Sequence, residues 1–253
     1  MPTNYTGCQP CNTCPSTLPM LKRIWQSLKK QAMILLQSNT YEVTLMERPE
    51  LIESVCKYEW DMFSAVNNNG GKASCQNDEA FFKKMRVCQF AGWSDDMLAS
   101  YLVDLVEAAA IERNLPMEKY AWMMESTHPA EFEQIRPSLP DLSAEQLQLI
   151  GQLVQVQVAM EAEVDKAYPY MRANGRPLRK EHDTPFVTSF ETYLEGELKT
   201  YSLDTLHAYA HHMAELYEQG GNLALIVAEA TAKAYGFESL DAFEAFAKSK
   251  AGA

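Results

Sequence analysis

The chain has 253 residues, enough for one large domain or two small ones, and its 47% hydrophobic content allows a buried core. Thirty-four Asp and Glu against 22 Lys and Arg leave a net charge of −12 and a pI near 4.9, which argues against general nucleic-acid binding, since that relies on clustered Lys and Arg. No run approaches the roughly eighteen apolar residues of a membrane span, so no transmembrane segment is expected.

The first ten residues, MPTNYTGCQP, have neither a basic n-region nor an apolar h-region, so the sequence predicts no signal peptide and a cytoplasmic protein. In that compartment the six cysteines are thiols or metal ligands rather than disulfides. Residues 1–19 hold Cys8, Cys11 and Cys14 in a C-x-x-C-x-x-C-Pro run with no helical or strand period. Two-residue spacing lets thiolates converge on an iron–sulfur cluster or a zinc ion, although ferredoxin loops add a fourth cysteine before the proline and here the third precedes Pro15. The competing reading is an oxidation-prone tail.

Residues 20–37 carry Leu21, Ile24, Trp25, Leu28, Ala32, Leu35 and Leu36 as an amphipathic stripe, with Lys22, Arg23, Lys29 and Lys30 between them. This basic helix in an acidic chain suits a protein partner, a membrane surface or the acidic face of its own domain. Residues 38–47 read as a linker.

In the next helix Ile52, Val55, Cys56, Phe63 and Val66 follow helical spacing, and Glu59 interrupts their apolar stripe. The Asn-Asn-Asn-Gly-Gly run from residue 67 breaks the helix. Asn77 or Ser74 then caps a second helix with Asp78 and Glu79 in its first turn, and Phe82, Arg86, Gln89 and Trp93 share one of its faces. Arg and Gln between two aromatics, opposite an inward Glu, are the makings of a polar pocket in an apolar wall. A buried Glu59–Arg86 ion pair that only sets helix registry explains the same pattern.

Ser94 caps a helix reaching about Glu112, with Met97, Leu98, Tyr101, Leu102, Leu105, Val106 and Ala109 facing inward. A short helix covers residues 119–125, another turn or two precedes Pro137, and Ser143 with Gln146 forms a capping box. The helix that follows, to about Tyr168, is apolar nearly all round, which places it centrally in a bundle. Residues 169–188 contain three prolines, one glycine and the basic side chains Arg172, Arg176, Arg179 and Lys180, the composition of a lid or of a loop paired with acidic helices.

Ser189 caps a helix on which Phe190, Leu194, Glu197 and Tyr201 line one side and Glu191 and Glu195 the next. A further helix carries His207 and His211. Both Glu191/Glu195 and His207/His211 have the i, i+4 spacing that presents two ligands to one metal, but no H-E-x-x-H completes a motif, and a solvated face reads equally from the same residues. Two more helices, residues 223–235 and 240–248, end the chain. No strand pattern of convincing length is present.

The EW at Glu59-Trp60, the run NNNGGKASCQND over residues 67–78, Arg86, Gln89, Trp93, the KY at Lys119-Tyr120 and SFETYLEGEL over residues 189–198 resemble a bacterial family known only as a domain of unknown function. The likeness spans about Leu51 to Phe246. It implies an all-helical module, fused in some relatives behind a nucleotidyltransferase-like domain, and through that association a helper or substrate-binding role. The chain has no G-S followed by D-x-D with which to hold a nucleotide and its magnesium ions, and residues 1–37 lie outside the likeness.

The expected fold is all-α: one helical-bundle-like domain over residues 48–248, preceded by the Cys-containing tail and the amphipathic helix. The leading expectation is an enzyme or binding domain for a small anionic molecule. In it Glu59 acts as general base or orienting carboxylate and Arg86 with Arg176 and Arg179 holds the anion. Asn68, Gln76, Asp78, Gln89, Trp93, Glu191 and Glu195 complete the pocket. Cys75, beside a helix N-terminus of the kind that activates thiols, is the candidate nucleophile, with distant His207 as its base. The alternative is a non-catalytic regulatory or scaffold protein with a metal-ligating or redox-sensing tail at Cys8, Cys11 and Cys14 that docks through residues 20–37.

Overall fold

The computed structural model describes residues 46–66, 71 and 73–252, together with Arg23, Ile24 and Gln26. The expectations for Cys8, Cys11, Cys14 and Asn68, and for most of residues 20–45, lie outside the described residues. Ile24 packs against the hydrophobic core.

Eleven α-helices make up the described residues, with no strand beyond an isolated bridge between Thr184 and Val187. They are α1 (Arg48–Ser64), α2 (Glu79–Phe90), α3 (Asp95–Ala110), α4 (Leu115–Thr127), α5 (Pro129–Ile135), α6 (Ala144–Ala167), α7 (Pro169–Arg172), α8 (Phe190–Leu198), α9 (Leu203–Glu218), α10 (Leu223–Ala234) and α11 (Leu240–Ala251). None of them is long and apolar enough to cross a membrane.

Side-chain caps fix where most of these helices begin. Asp78, Ser94, Asn114, Ser143, Ser189, Ser202, Asn222 and Ser239 each accept a hydrogen bond from the backbone N–H three residues on. The Ser143–Gln146 capping box closes in both directions, at 3.1 and 3.0 Å. Neither Ser74 nor Asn77 caps α2; they bound a single 3₁₀ turn, Ser74–Asn77, and Asp78 takes the cap. Helix α4 starts at Leu115, four residues before the expected position, because Asn114 caps it and Pro116 suits a first helical turn.

Helix α6 is the central element, packing against α8, α9 and α10. Leu149, Ile150, Leu153, Val154, Val156, Val158 and Met160 are all buried on it. Around it α1 packs on α3 and α4, α3 on α9, α2 on α10, and α4 on α8. Side chains such as Phe90, Met97, Leu105, Leu153, Leu198, Leu206 and Met213 are almost wholly excluded from water, each contributing roughly 1.5–3 kcal/mol. The inward face of α3 is rotated from the expected one: Ala108 and Asp104 are buried, while Val106 and Ala109 point outward, because Asp104 turns in to accept the Ser202 N–H at the start of α9.

Candidate functional site

Helices α1 and α2 pack side by side with Glu59 and Arg86 facing each other. Both are buried, at 4% and 8% exposure. Arg86 donates from Nε to Glu59 Oε2 at 2.6 Å and from Nη2 to Glu59 Oε1, a two-pronged pairing. Its Nη1 donates to Gln89 Oε1 and reaches Glu197 Oε1 at 3.5 Å. Tyr101 of α3 donates its hydroxyl to Glu59 Oε1 at 2.8 Å. Arg86 thus makes four hydrogen bonds from five N–H groups, and the Glu59 carboxylate accepts three.

The network continues onto α8 and α4. Glu197, buried, accepts from Tyr201 at 3.1 Å and lies 3.7 Å from Lys119 Nζ. Lys119 also donates to Tyr193 Oη at 2.8 Å and sits over the Tyr193 ring, 4.3 Å from its centre. Burial alone would raise the Glu197 carboxyl, but Lys119, Arg86 and the Tyr201 hydroxyl hold it below the usual carboxylate range. Burial would lower the Lys119 ammonium, yet Tyr193 and Glu197 hold it above its ordinary value. The phenols of Tyr101, Tyr201 and Tyr209 are pushed up mainly by burial, so they stay protonated hydrogen-bond donors.

These groups form the wall of a cavity of about 420 Å³ between α1, α2, α4, α6, α8 and α10. Its rim is exposed at Cys75, Phe81 and Arg176; its inner end is closed by buried Trp93, Gln157, Tyr209 and Leu198. Aromatic rings dominate the lining. Phe63 stacks on Phe82 at 5.0 Å, and Trp93 packs at 5.6 Å on Tyr101 and 5.8 Å on Tyr209. Arg172 lines it too, held by Asp165 at 2.7 Å and Glu161 at 2.6 Å. Arg176 differs. Its guanidinium lies over the same Tyr193 ring that Lys119 faces, 4.8 Å from its centre, donates to the Thr188 carbonyl at 3.1 Å, and has no carboxylate partner among the described residues.

Of the residues singled out in the sequence, Glu59, Cys75, Arg86, Gln89, Trp93 and Arg176 line this one cavity. Gln76 does not: it is buried and clamps the loop, donating to the carbonyls of Phe63 and Val66 and accepting from the Ala73 N–H. Asp78 is spent on capping α2. Arg179 is exposed outside the cavity lining. Glu191 accepts from the Lys180 N–H, and Glu195 pairs with Lys199 at 2.8 Å, on the far side of α8 from Glu197. There Trp122, Glu125, Glu195 and Lys199 border a separate groove of about 300 Å³.

Among the described residues no three His, Cys, Asp or Glu side chains converge as metal ligands. His207 lies 3.3 Å from Glu145, and His211 pairs with Glu215. No histidine lines the cavity on which Cys75 opens. Cys56 and Cys88 are buried; burial and the neighbouring Glu59 charge push the Cys56 thiol up to about 11, so it stays a neutral core group.

Lys119, Gln157, Tyr193 and Glu197 are lining residues that the sequence reading did not assign to the site. Glu197 carried the same signal as Glu59, a carboxylate inside a helical stripe, here Phe190, Leu194 and Tyr201. Gln157 shares the stretch of Val154, Val156, Val158 and Met160 with Gln155, and of the two glutamines only Gln157 is buried. Lys119 and Tyr193 lie in the KY and SFETYLEGEL segments, 74 residues apart, and only tertiary packing joins them.

No curated protein and no solved structure matches the chain. A family model does match, over residues 49–245, and that span covers the cavity and every helix lining it. The chain therefore belongs to the family described as protein of unknown function (DUF4125).

Proposed function

We propose that this domain binds a small anionic molecule of largely apolar body in the cavity between α2, α4, α6 and α8. The observation that carries this reading is the charge balance of the lining. Arg86, Lys119 and Arg172 each have a carboxylate partner, whereas Arg176 at the rim has none among the described residues and is pre-positioned on Tyr193. An incoming carboxylate, sulfonate or phosphate completes that pair in a setting partly shielded from water, where a charge-assisted hydrogen bond is worth more than on an open surface. In a chain of net charge −12 such a positive rim also gives an anion a local point of entry.

On this reading Glu59 and Arg86 are not the groups that touch the ligand's charge. They form a buried, mutually paired clamp that fixes α1 against α2 and holds the polar floor rigid. The cavity volume is within the range of small-molecule sites, and its aromatic lining suits a flat or hydrophobic ligand body. Cys75 borders the rim without a histidine beside it, which favours binding over nucleophilic catalysis.

The test is titration calorimetry of the full chain with 2-naphthoate and its neutral counterpart 2-naphthamide. The acid binds more tightly than the amide, and Arg176→Ala weakens the acid by about tenfold while leaving the amide unchanged. Equal binding of acid and amide to the wild type would sink the reading.

A further inference from the structure

Gln157 projects from α6 at the closed end of the cavity, in a run whose near neighbours Val154, Val156, Val158 and Met160 are all apolar and buried. It is 7% exposed, and its amide nitrogen makes no close hydrogen bond among the described residues. The side chain borders the Tyr209 phenol, which burial keeps protonated and whose oxygen takes at most one of the two amide N–H groups. Buried polar groups in folded proteins are almost always paired, so a buried N–H left without an acceptor in a cavity wall marks a place where a bound molecule supplies one. Arg176 lines the same cavity but is exposed, whereas Gln157 is buried.

Resting on the reading of this cavity as an anion site, we infer that its ligand is an aromatic or otherwise planar acid carrying a neutral hydrogen-bond acceptor remote from its acid group. The acid meets Arg176 at the rim. The flat body lies against the aromatic lining, Trp93 and Phe190 among it, and a carbonyl or ring nitrogen accepts the Gln157 N–H at the inner end. The inner acceptor is neutral because the cations near that end are already paired: Glu161, one turn from Gln157 on α6, holds Arg172, and Glu197 holds Arg86 and Lys119. A ligand with a negative group at each end finds no unpaired cation there, and one with no acceptor leaves an amide N–H unpaired.

The experiment compares 6-acetyl-2-naphthoate with 6-isopropenyl-2-naphthoate, which has the same shape but no acceptor, by calorimetry on the full chain. The wild type prefers the acetyl compound by about tenfold, the worth of one shielded hydrogen bond. Gln157→Leu loses that preference through weaker acetyl binding, with isopropenyl binding retained. Equal wild-type affinities, or a preference that survives in Gln157→Leu, would overturn the inference while leaving the anion site standing. Absence of binding by both acids would overturn the anion site and this inference together. The wild-type comparison decides even where a variant does not fold.

Discussion

Helix α8 carries carboxylates on two faces with different fates. On one, Glu197 is buried at the cavity wall, held by Lys119 of α4, Arg86 of α2 and Tyr201 one turn on. On the other, Glu195 is partly exposed and pairs with Lys199 one turn away, while Lys199 keeps a second partner in Glu125. These carboxylates stand two positions apart in sequence, yet one belongs to a network spanning five helices and the other to a local, partly exposed pair. The difference teaches that a carboxylate's role here follows from what packs over its face, not from its helical spacing.

The strongest way to break the buried side of that comparison is at its hub. Arg86→Ala leaves Glu59 and Glu197 buried with an acceptor surplus, and the loss of such a partner costs about 3–5 kcal/mol. Urea denaturation reads this as a large fall in the midpoint with the slope retained; a loss below about 1 kcal/mol would show that the pair is hydrated rather than sealed.

Glu197→Gln follows, at about 2–3 kcal/mol near pH 7. Its pH dependence gives a second readout with a definite sign. The folded Glu197 carboxyl lies below its ordinary value of 4.5, so its stabilisation is complete above that value and is lost as pH falls through the lower, folded value. The variant therefore loses stability less steeply than the wild type on acidification below about pH 4.5. Parallel acid limbs would show that other carboxylates govern acid unfolding.

Between the two faces stands Gly196, where a β-carbon would lie 2.9 Å from Met123 Cγ and 3.0 Å from the Lys119 carbonyl oxygen. Gly196→Ala forces α8 away from α4 and is expected to cost about 1–3 kcal/mol. Because Lys119 and Glu197 sit on those two helices, it also loosens the cavity wall, read as weaker 2-naphthoate binding. Glu195→Gln gives the smallest effect, within about 1 kcal/mol, since its pair is partly exposed and Lys199 retains Glu125. A loss comparable to that of Glu197→Gln would erase the distinction between the faces.

Much of the fold was legible in the chain. The caps at Ser94, Ser143, Ser189 and Ser202 stood before periodic apolar runs, and the nearly all-round apolarity of residues 144–167 placed that helix at the centre. Part of the cavity lining was legible as well: Glu59 within its stripe, and Arg86, Gln89 and Trp93 on one face, all line it. Gln76 and Asp78 lie outside that lining, because a polar side chain after a Gly-Gly turn serves a loop clamp or a helix cap as readily as a cavity wall. Glu191 and Glu195 lie outside it for a related reason: i, i+4 spacing identifies a shared face without saying what that face meets.

By itself the sequence determined the all-helical architecture, where most helices start, and that a carboxylate and a guanidinium would be buried in apolar stripes. Those properties depend on local capping and on periodicity, which act over a few residues. Tertiary structure alone decided that Arg86 is paired with carboxylates while Arg176 is not, that Lys119 reaches Tyr193 across 74 residues, and that Gln157 lines the same cavity. Hydrogen-bond satisfaction and burial are properties of all the groups that meet at a point, and those groups come from helices far apart in the chain.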